Sequence, residues 1–321
     1  MLNVGLIGLG GWGKRLVEAV QGKSKTVRFV SAVTATPAKH KDFVAKHGLK
    51  IEADLKTMLA DPNVQAVVST ASVGLHAPHS LAALQAGKPV LAVKPMAVTR
   101  KEAEALAAAS AKSGALLAMG YNRCFYPSVA ELRQRLAAGA LGKTLHIEGN
   151  FCVDRYGKLK AGKDWKTDES QVVSGALADH MLYAAVEIMG EVAEVDVQAS
   201  HRAANLPIAD TVGVLLKFKS GASGLLTAIG TTATYERLTV FGDKGWAEIR
   251  NGNRFEFQPT SGKGEVIDFP EFDAEKAEME SFAAAVAGQT KFPVSVSDAV
   301  HGVAVIEAMG KSAKTGKPAI P

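Results

Sequence analysis

Short apolar runs alternate with helix-period stretches along the first 120 or so residues, and most of these pairs are closed by a turn residue. Residues 2–7 (LNVGLI) read as a buried strand and 14–21 as the helix after it. Residues 27–33 read as a second strand, and 37–47 as a helix stopped by Gly48. A third strand, 66–69, is entered through Asp61-Pro62-Asn63, and the helix 76–86 that follows ends at Gly87. A fourth strand at 89–93, an Ala-rich helix at 100–113 closed by Gly114, and a fifth strand at 115–119 complete the series. Strand-helix alternation at this spacing predicts a doubly wound parallel sheet, the Rossmann type of α/β domain.

Beyond residue 120 the pattern changes. Helices are predicted over 127–138 and 176–189, with a strand at 144–153 and a long polar loop to about residue 171 between them. Alternating strands follow at 194–201, 211–219, 222–231, 237–241 and 246–250, with Lys219-Ser220-Gly221 and Gly242-Asp243-Lys244-Gly245 as turns. Helices over 275–287 and 297–312 close the chain. The expectation is an α+β domain on an antiparallel sheet, with domains at 1–120 and 121–321.

The end of the first strand carries the chain's most specific pattern. Gly8, Gly10 and Gly13 stand in G-x-G-x-x-G spacing at a strand-to-helix turn. Gly8 suits the tight turn, Gly10 lets the backbone approach a pyrophosphate, and Gly13 lets helix and strand pack closely. The helix N-terminus supplies free N–H groups and a positive dipole end, so Gly11 and Trp12 inside the turn join the candidate cofactor contacts. The same stretch spells G-x-x-x-x-G-K through Lys14, the beginning of a P-loop. Arg15 stands where the Mg²⁺-binding hydroxyl would be required, which disfavours a nucleoside triphosphatase.

Bulk properties narrow the classes. At 321 residues two domains are expected, and 47% hydrophobic with 21% charged residues is a globular composition. No apolar run spans a bilayer, and no secretory signal is read at the N-terminus. Two cysteines, Cys124 and Cys152, fit a cytoplasmic protein without a disulfide framework. A net charge of +5 with 6% aromatics does not make a nucleic-acid face. The one basic cluster, Arg155, Lys158, Lys160, Lys163 and Lys166, reads as a solvated loop able to draw an anionic substrate. The histidines fall in no metal-ligating spacing, so no metal is expected.

These pieces together resemble the Gfo/Idh/MocA family of NAD(P)-dependent oxidoreductases. The resemblance runs through GLGGWG, AGKPVLAVKP, MGYNRCFYP, GALGKTLHIEGNF, the DHML segment at 179–182, VFGDKGWAEIR and SAKTGKP. It implies a Rossmann domain followed by a substrate domain with a large open sheet, whose face forms a homodimer or homotetramer. The family's Glu-Lys-Pro motif stands here as Val93-Lys94-Pro95, with the glutamate lost. The resemblance makes Lys94 the residue beside nicotinamide and substrate, and His180 the acid/base. An aspartate commonly follows that histidine by three residues, where this chain has Tyr183; in an alternative register Asp179 takes a family carboxylate's place.

Oxidising an alcohol by hydride transfer needs a positioned nicotinamide, a base for the hydroxyl proton and a donor for the oxygen. Lys94, just past a strand end, suits the last role, and His180 has the intrinsic pKa for the second. Asp179, His180 and Tyr183 share one predicted helix, so Tyr183 could partner His180 or donate to substrate. Thr70, past the third strand, and His76, at the start of the next helix, read as cofactor-side residues; for His76 a packing role is the alternative. The second strand ends Thr34-Ala35-Thr36 with no carboxylate for an adenosine ribose, and Lys39 and His40 follow. That combination favours NADP over NAD, with acceptance of both as the alternative. The function expected is oxidoreduction of a sugar, polyol or related acid; a cofactor-binding regulator without turnover and a redox-assisted glycosidase are the rivals.

Overall fold

A computed structural model of the chain describes residues 1–160, 167–168 and 177–321. Lys163, Lys166, the expected helix start at 176 and part of the polar loop lie outside the described residues. In chain order the elements are β1 (Leu2–Ile7), α1 (Gly11–Val20), β2 (Val27–Val33), α2 (Lys41–His47), β3 (Lys50–Ile51), α3 (Leu55–Ala60), β4 (Ala66–Ser69), α4 (Val73–Gln85), β5 (Val90–Val93), α5 (Arg100–Ser113) and β6 (Leu117–Gly120). There follow α6 (Pro127–Ala137), β7 (Thr144–Asp154), α7 (Asp179–Met189), β8 (Val192–Ser200), β9 (Thr211–Phe218), β10 (Ser223–Ile229), β11 (Thr231–Gly242), β12 (Gly245–Arg250), β13 (Arg254–Pro259), β14 (Glu265–Asp268), α8 (Ala274–Val286) and α9 (Val296–Thr315).

Where local signals are strong, the elements sit where the sequence puts them. α5 begins at a capping box, in which the Thr99 hydroxyl accepts from Glu102 N–H and the Glu102 carboxylate accepts from Thr99 N–H. It ends at Gly114 in the left-handed conformation. The expected helix over 37–47 divides instead: Pro37–His40 forms a 3-10 turn and α2 follows. α4 starts at Val73, three residues before the expected start, so His76 lies inside the helix. β3, α3, β13 and β14 were not expected from the sequence. The first two and the four-residue β14 are too short to show a period, whereas β13 sets Phe255 and Phe257 between Arg254, Glu256 and Gln258, an alternation the sequence carried.

Contacts group the chain into two compact units, Met1–Asn122 with Asp273–Val300, and Arg123–Phe272 with His301–Pro321. A single break near residue 120, all that the sequence offers, gives no sign that α8 groups with the first unit. There α8 packs against α1 and β2, burying Met279 and Phe282. The first unit's sheet has the order β3-β2-β1-β4-β5-β6 and is parallel throughout. Strand order reverses on either side of β1, which puts the turn after β1 at the switch point where such sheets bind ligands.

The second unit's sheet has the order β14-β13-β12-β11-β7-β10-β9-β8, antiparallel except for β7 with β10. One face carries Ile147, Gly149 and Phe151 and is covered by helices; Gly149 is needed there, because a Cβ would stand 2.7 Å from Met181 Cβ. By register the opposite face carries Leu215, Leu225, Tyr235 and Val266, all exposed. Among them runs an ion-pair ladder, Glu148–Arg237 at 2.6 Å and Glu248–Arg250 at 2.5 Å. Among the described residues no helix is long and apolar enough to cross a membrane, and no group of three or more His, Cys, Asp or Glu could hold a metal ion.

Candidate active site

In the first unit the glycine turn is built by backbone and fixed by one hydroxyl. Gly8 has φ +99°, and a Cβ there would lie 2.9 Å from Ala71 N. Gly13 packs so closely that a Cβ would lie 2.2 Å from Gly8 O. Gly10 and Gly11 differ: a Cβ on either would meet nothing within 4 Å, so the space beside them is open. Close packing therefore explains Gly8 and Gly13, and it does not explain the pair between them. α1 has no side-chain cap and no acidic residue in its first turn. Open backbone at an uncapped helix N-terminus is the surface a pyrophosphate needs.

Thr70, expected as a cofactor contact, donates its hydroxyl to Gly8 O at 2.6 Å, and its N–H to Ile7 O at 2.8 Å. It holds the turn's shape from the neighbouring strand end. Trp12 is half-buried, with the Arg15 guanidinium 5.5 Å from its ring centroid. Arg15 in turn pairs with Glu275 of α8 at 2.8 Å.

Past β2, Thr34 accepts from Thr36 N–H at 3.3 Å, and the Thr36 hydroxyl lies 3.2 Å from His40 Nε2. Burial, then the charges of Lys14 and Lys39, push the His40 pKa down. Two lysines and an imidazole thus share one locality, and residues 33–41 contain no carboxylate. Lys14 is a residue the sequence reading missed. It reaches this group from α1, with Nζ 5.1 Å from the Phe43 ring centroid. Its signal was present as the lysine completing the P-loop-like string.

Lys94 is half-buried at the end of β5, and its N–H donates to Gly120 O at 3.0 Å. His76 departs from expectation. It is 1% exposed, with Nδ1 2.8 Å from Pro95 O and Nε2 3.0 Å from Ala71 O. Burial pushes its pKa down. Because α4 begins three residues early, the ring is directed at backbone carbonyls. It packs between the loop after β4 and the Lys94-Pro95 turn, where a neutral ring donates to one of the two carbonyls.

The second unit holds the other candidates on α7. His180 is half-buried, and its ring stacks on Phe151 at 4.3 Å between centroids and 30° between planes. Asp179 is buried and raises the pKa of Tyr156, which burial has already pushed well up. Tyr183 is buried with its ring against α9, where a Cβ on Gly302 would lie 2.3 Å from Tyr183 Cε1. That packing accounts for much of its surface and leaves little of the ring for a substrate. Phe151, Arg123 and Glu236 surround His180 or its neighbours, and sequence reasoning found none of them. They are far apart in the chain and belong to no shared motif.

Comparison with known proteins adds to this geometry. Residues 2–121 match the oxidoreductase family with an NAD-binding Rossmann fold, and residues 129–248 match the GFO/IDH/MocA C-terminal domain. Trans-1,2-dihydrobenzene-1,2-diol dehydrogenase of Sus scrofa is 29% identical over 244 residues, covering 71% of each chain. Levoglucosan dehydrogenase of Pseudarthrobacter phenanthrenivorans is 29% identical over 207 residues, 61% of this chain and 53% of the relative. Among solved structures, the aldose-aldose oxidoreductase of Caulobacter crescentus complexed with glycerol superimposes with a TM-score of 0.87 at 24% identity, covering 100% of this chain and 99% of that one. A levoglucosan dehydrogenase complex with NADH and L-sorbose gives 0.89 at 20% identity over 100% and 99%, and shows the shared fold. With both of its family domains matched in order, the chain belongs to the Gfo/Idh/MocA family of oxidoreductases, whose N-terminal domain is an NAD-binding Rossmann fold.

Proposed function

We propose that this protein is an NADP-preferring dehydrogenase acting on a CH–OH group of a sugar, polyol or related small hydroxylated compound. The observation that carries the reading is the open backbone at Gly10 and Gly11 beside the Lys14, Lys39 and His40 cluster. The residues fit the cofactor: the α1 N-terminus would take the pyrophosphate, and the Lys14 and Lys39 ammonium groups, with the His40 ring beside them, would take a 2′-phosphate that a carboxylate would repel. When bound, the nicotinamide would supply the hydride acceptor or donor.

The chain's own groups do the rest. Lys94 donates to the substrate oxygen and stabilises charge there. His180 takes the hydroxyl proton in oxidation and returns it in reduction. Asp179 precedes it on α7 and is buried, and it is assigned no proton-transfer step; Tyr183 is assigned packing. The named relatives, which include a levoglucosan dehydrogenase and an aldose-aldose oxidoreductase, support a polyol or sugar as the substrate class. The exposed apolar residues and charge ladder of the second sheet's open face support association of two or four copies through that face.

The test is a panel of levoglucosan, inositol, aldoses and their acids with NADP⁺ and NAD⁺, run on wild type and His180→Asn. Turnover with NADP⁺ that falls at least about 100-fold in His180→Asn supports the reading. Tight NADPH binding with no turnover across the panel favours a regulator instead, a reading to which Val93 in place of the family glutamate already points.

A further inference from the structure

A half-buried imidazole has two side-chain torsions to fix before it can serve as a base. His180 is the second residue of α7, and its ring rests on that of Phe151. Phe151 lies within β7, buried and paired to Ala228 of β10 and Glu236 of β11, so its backbone is held on both sides. The same ring carries the Arg123 guanidinium at 4.7 Å. Arg123 is tied by a 2.6 Å hydrogen bond and ion pair to Glu236, which is the direct cross-strand neighbour of Phe151. Glu236 thus anchors Arg123 over the ring of its own strand partner, and that ring supports His180.

A second feature marks the arrangement. Arg123 Nε–H is buried with no hydrogen-bond partner among the described residues. A buried donor without an acceptor costs free energy, so hydrogen bonding at Nε does not set the guanidinium's place. Contact with the Phe151 ring and the bond to Glu236 do.

We propose that Phe151 and Arg123 are positioning residues that hold the His180 imidazole in place for proton transfer. The inference rests on the acid/base reading of His180. Phe151 sets the ring plane and keeps water from the stacked face, and Arg123 keeps Phe151 from turning away. Neither residue exchanges a proton. A base displaced by about 1 Å loses on the order of 100-fold in rate, so the expected effect is large for two groups that touch no reacting atom.

The test uses full-length protein with isotope-labelled histidine, with His180→Asn identifying the His180 signals among the eight histidines. Phe151→Leu removes the aromatic ring, and Arg123→Gln removes the cation while leaving the ring. In wild type the His180 ring protons are expected upfield, from the ring current of Phe151. In Phe151→Leu that shift is lost, and kcat on the best substrate of the panel falls at least about tenfold with KM within about twofold. Arg123→Gln gives a smaller change in both readouts, in the same direction. An unshifted His180 in wild type, or a Phe151→Leu kcat within twofold of wild type, overturns the proposal. Should Phe151→Leu fail to fold, Arg123→Gln decides: unchanged signals and unchanged kcat overturn it. Failure of the underlying reading is seen separately, as a His180→Asn enzyme that still turns over or a panel with no turnover, and in the latter case the ring shifts alone judge the stack.

Discussion

In the first unit the candidate pyrophosphate contacts lie close together in the chain, Gly8 to Gly13, and most are backbone groups. In the second unit the group around the Phe151 ring is made of side chains from residues 123, 151, 180 and 236, brought together by an element after β6, by β7, by α7 and by β11. The difference lies in what each must recognise. A pyrophosphate is the same in every dinucleotide, and a helix N-terminus with small residues binds it with local geometry. An imidazole that moves a proton must be aimed, and aiming draws on packing from distant strands.

The largest expected effect tests whether the first unit's glycines divide as the geometry says. Gly10 has φ −70° and open space around it, so Gly10→Ala should fold with little change in melting temperature and lose about 100-fold or more in NADPH affinity. Gly13→Ala places a Cβ against Gly8 O and the Thr70 hydroxyl, so it should lower stability itself, by about 1–3 kcal/mol. Equal behaviour of the two variants in melting and titration would erase the distinction between packing and phosphate contact.

A smaller effect belongs to the second unit. Asp210 is buried, which raises a carboxyl pKa, yet the amides of Ala204, Ala203 and Arg202 and the Thr211 hydroxyl outweigh burial and hold it down at about 2. A depressed carboxyl stabilises the fold above its ordinary pKa near 3.8, and that contribution is lost as pH falls towards 2. Asp210→Asn should therefore cost about 2 kcal/mol at neutral pH, flatten the acid limb of the stability curve, and leave NADPH affinity unchanged.

A second pH-dependent effect belongs to the first unit and has the opposite sign. Glu278 is fully buried on α8. Burial first, then the charge of Glu275, push its pKa up to about 8 against the bond from Tyr121 N–H. Its Oε1 has no hydrogen-bond partner among the described residues. A raised carboxyl gives its full stability below the ordinary value near 4.5, and that stability is lost as pH rises to about 8. Glu278→Gln should melt like wild type near pH 4.5 and roughly 3 °C or more above it at pH 9.

The contrast between the units also explains what could be read from the chain. Strand 27–33, helix 100–113 and the three glycines were legible because their signals are local: a period, a capping box, a left-handed glycine. Helix α8 had a clear period, but its grouping with the first unit depends on long-range packing that no period encodes. His180 was found through the family resemblance. Phe151 and Glu236 read as ordinary strand residues until register places them side by side. Thr70 was placed near the cofactor by its position past a strand end and His76 by its position at a helix start, with packing as the alternative for His76; in the structure the side chains of both meet backbone carbonyls. Lys14 was visible only as the end of a P-loop-like string that Arg15 already disfavours, and nothing in the sequence brings it next to Lys39 and His40.

The most direct test of the account is a fluorescence titration of the purified protein with NADPH and with NADH. The open glycine backbone and the Lys14, Lys39 and His40 group predict binding of both, with NADPH tighter by about tenfold or more, roughly one charge-assisted hydrogen bond's worth. Equal or tighter binding of NADH would contradict the role given to the basic group, and binding of neither would contradict the phosphate site itself.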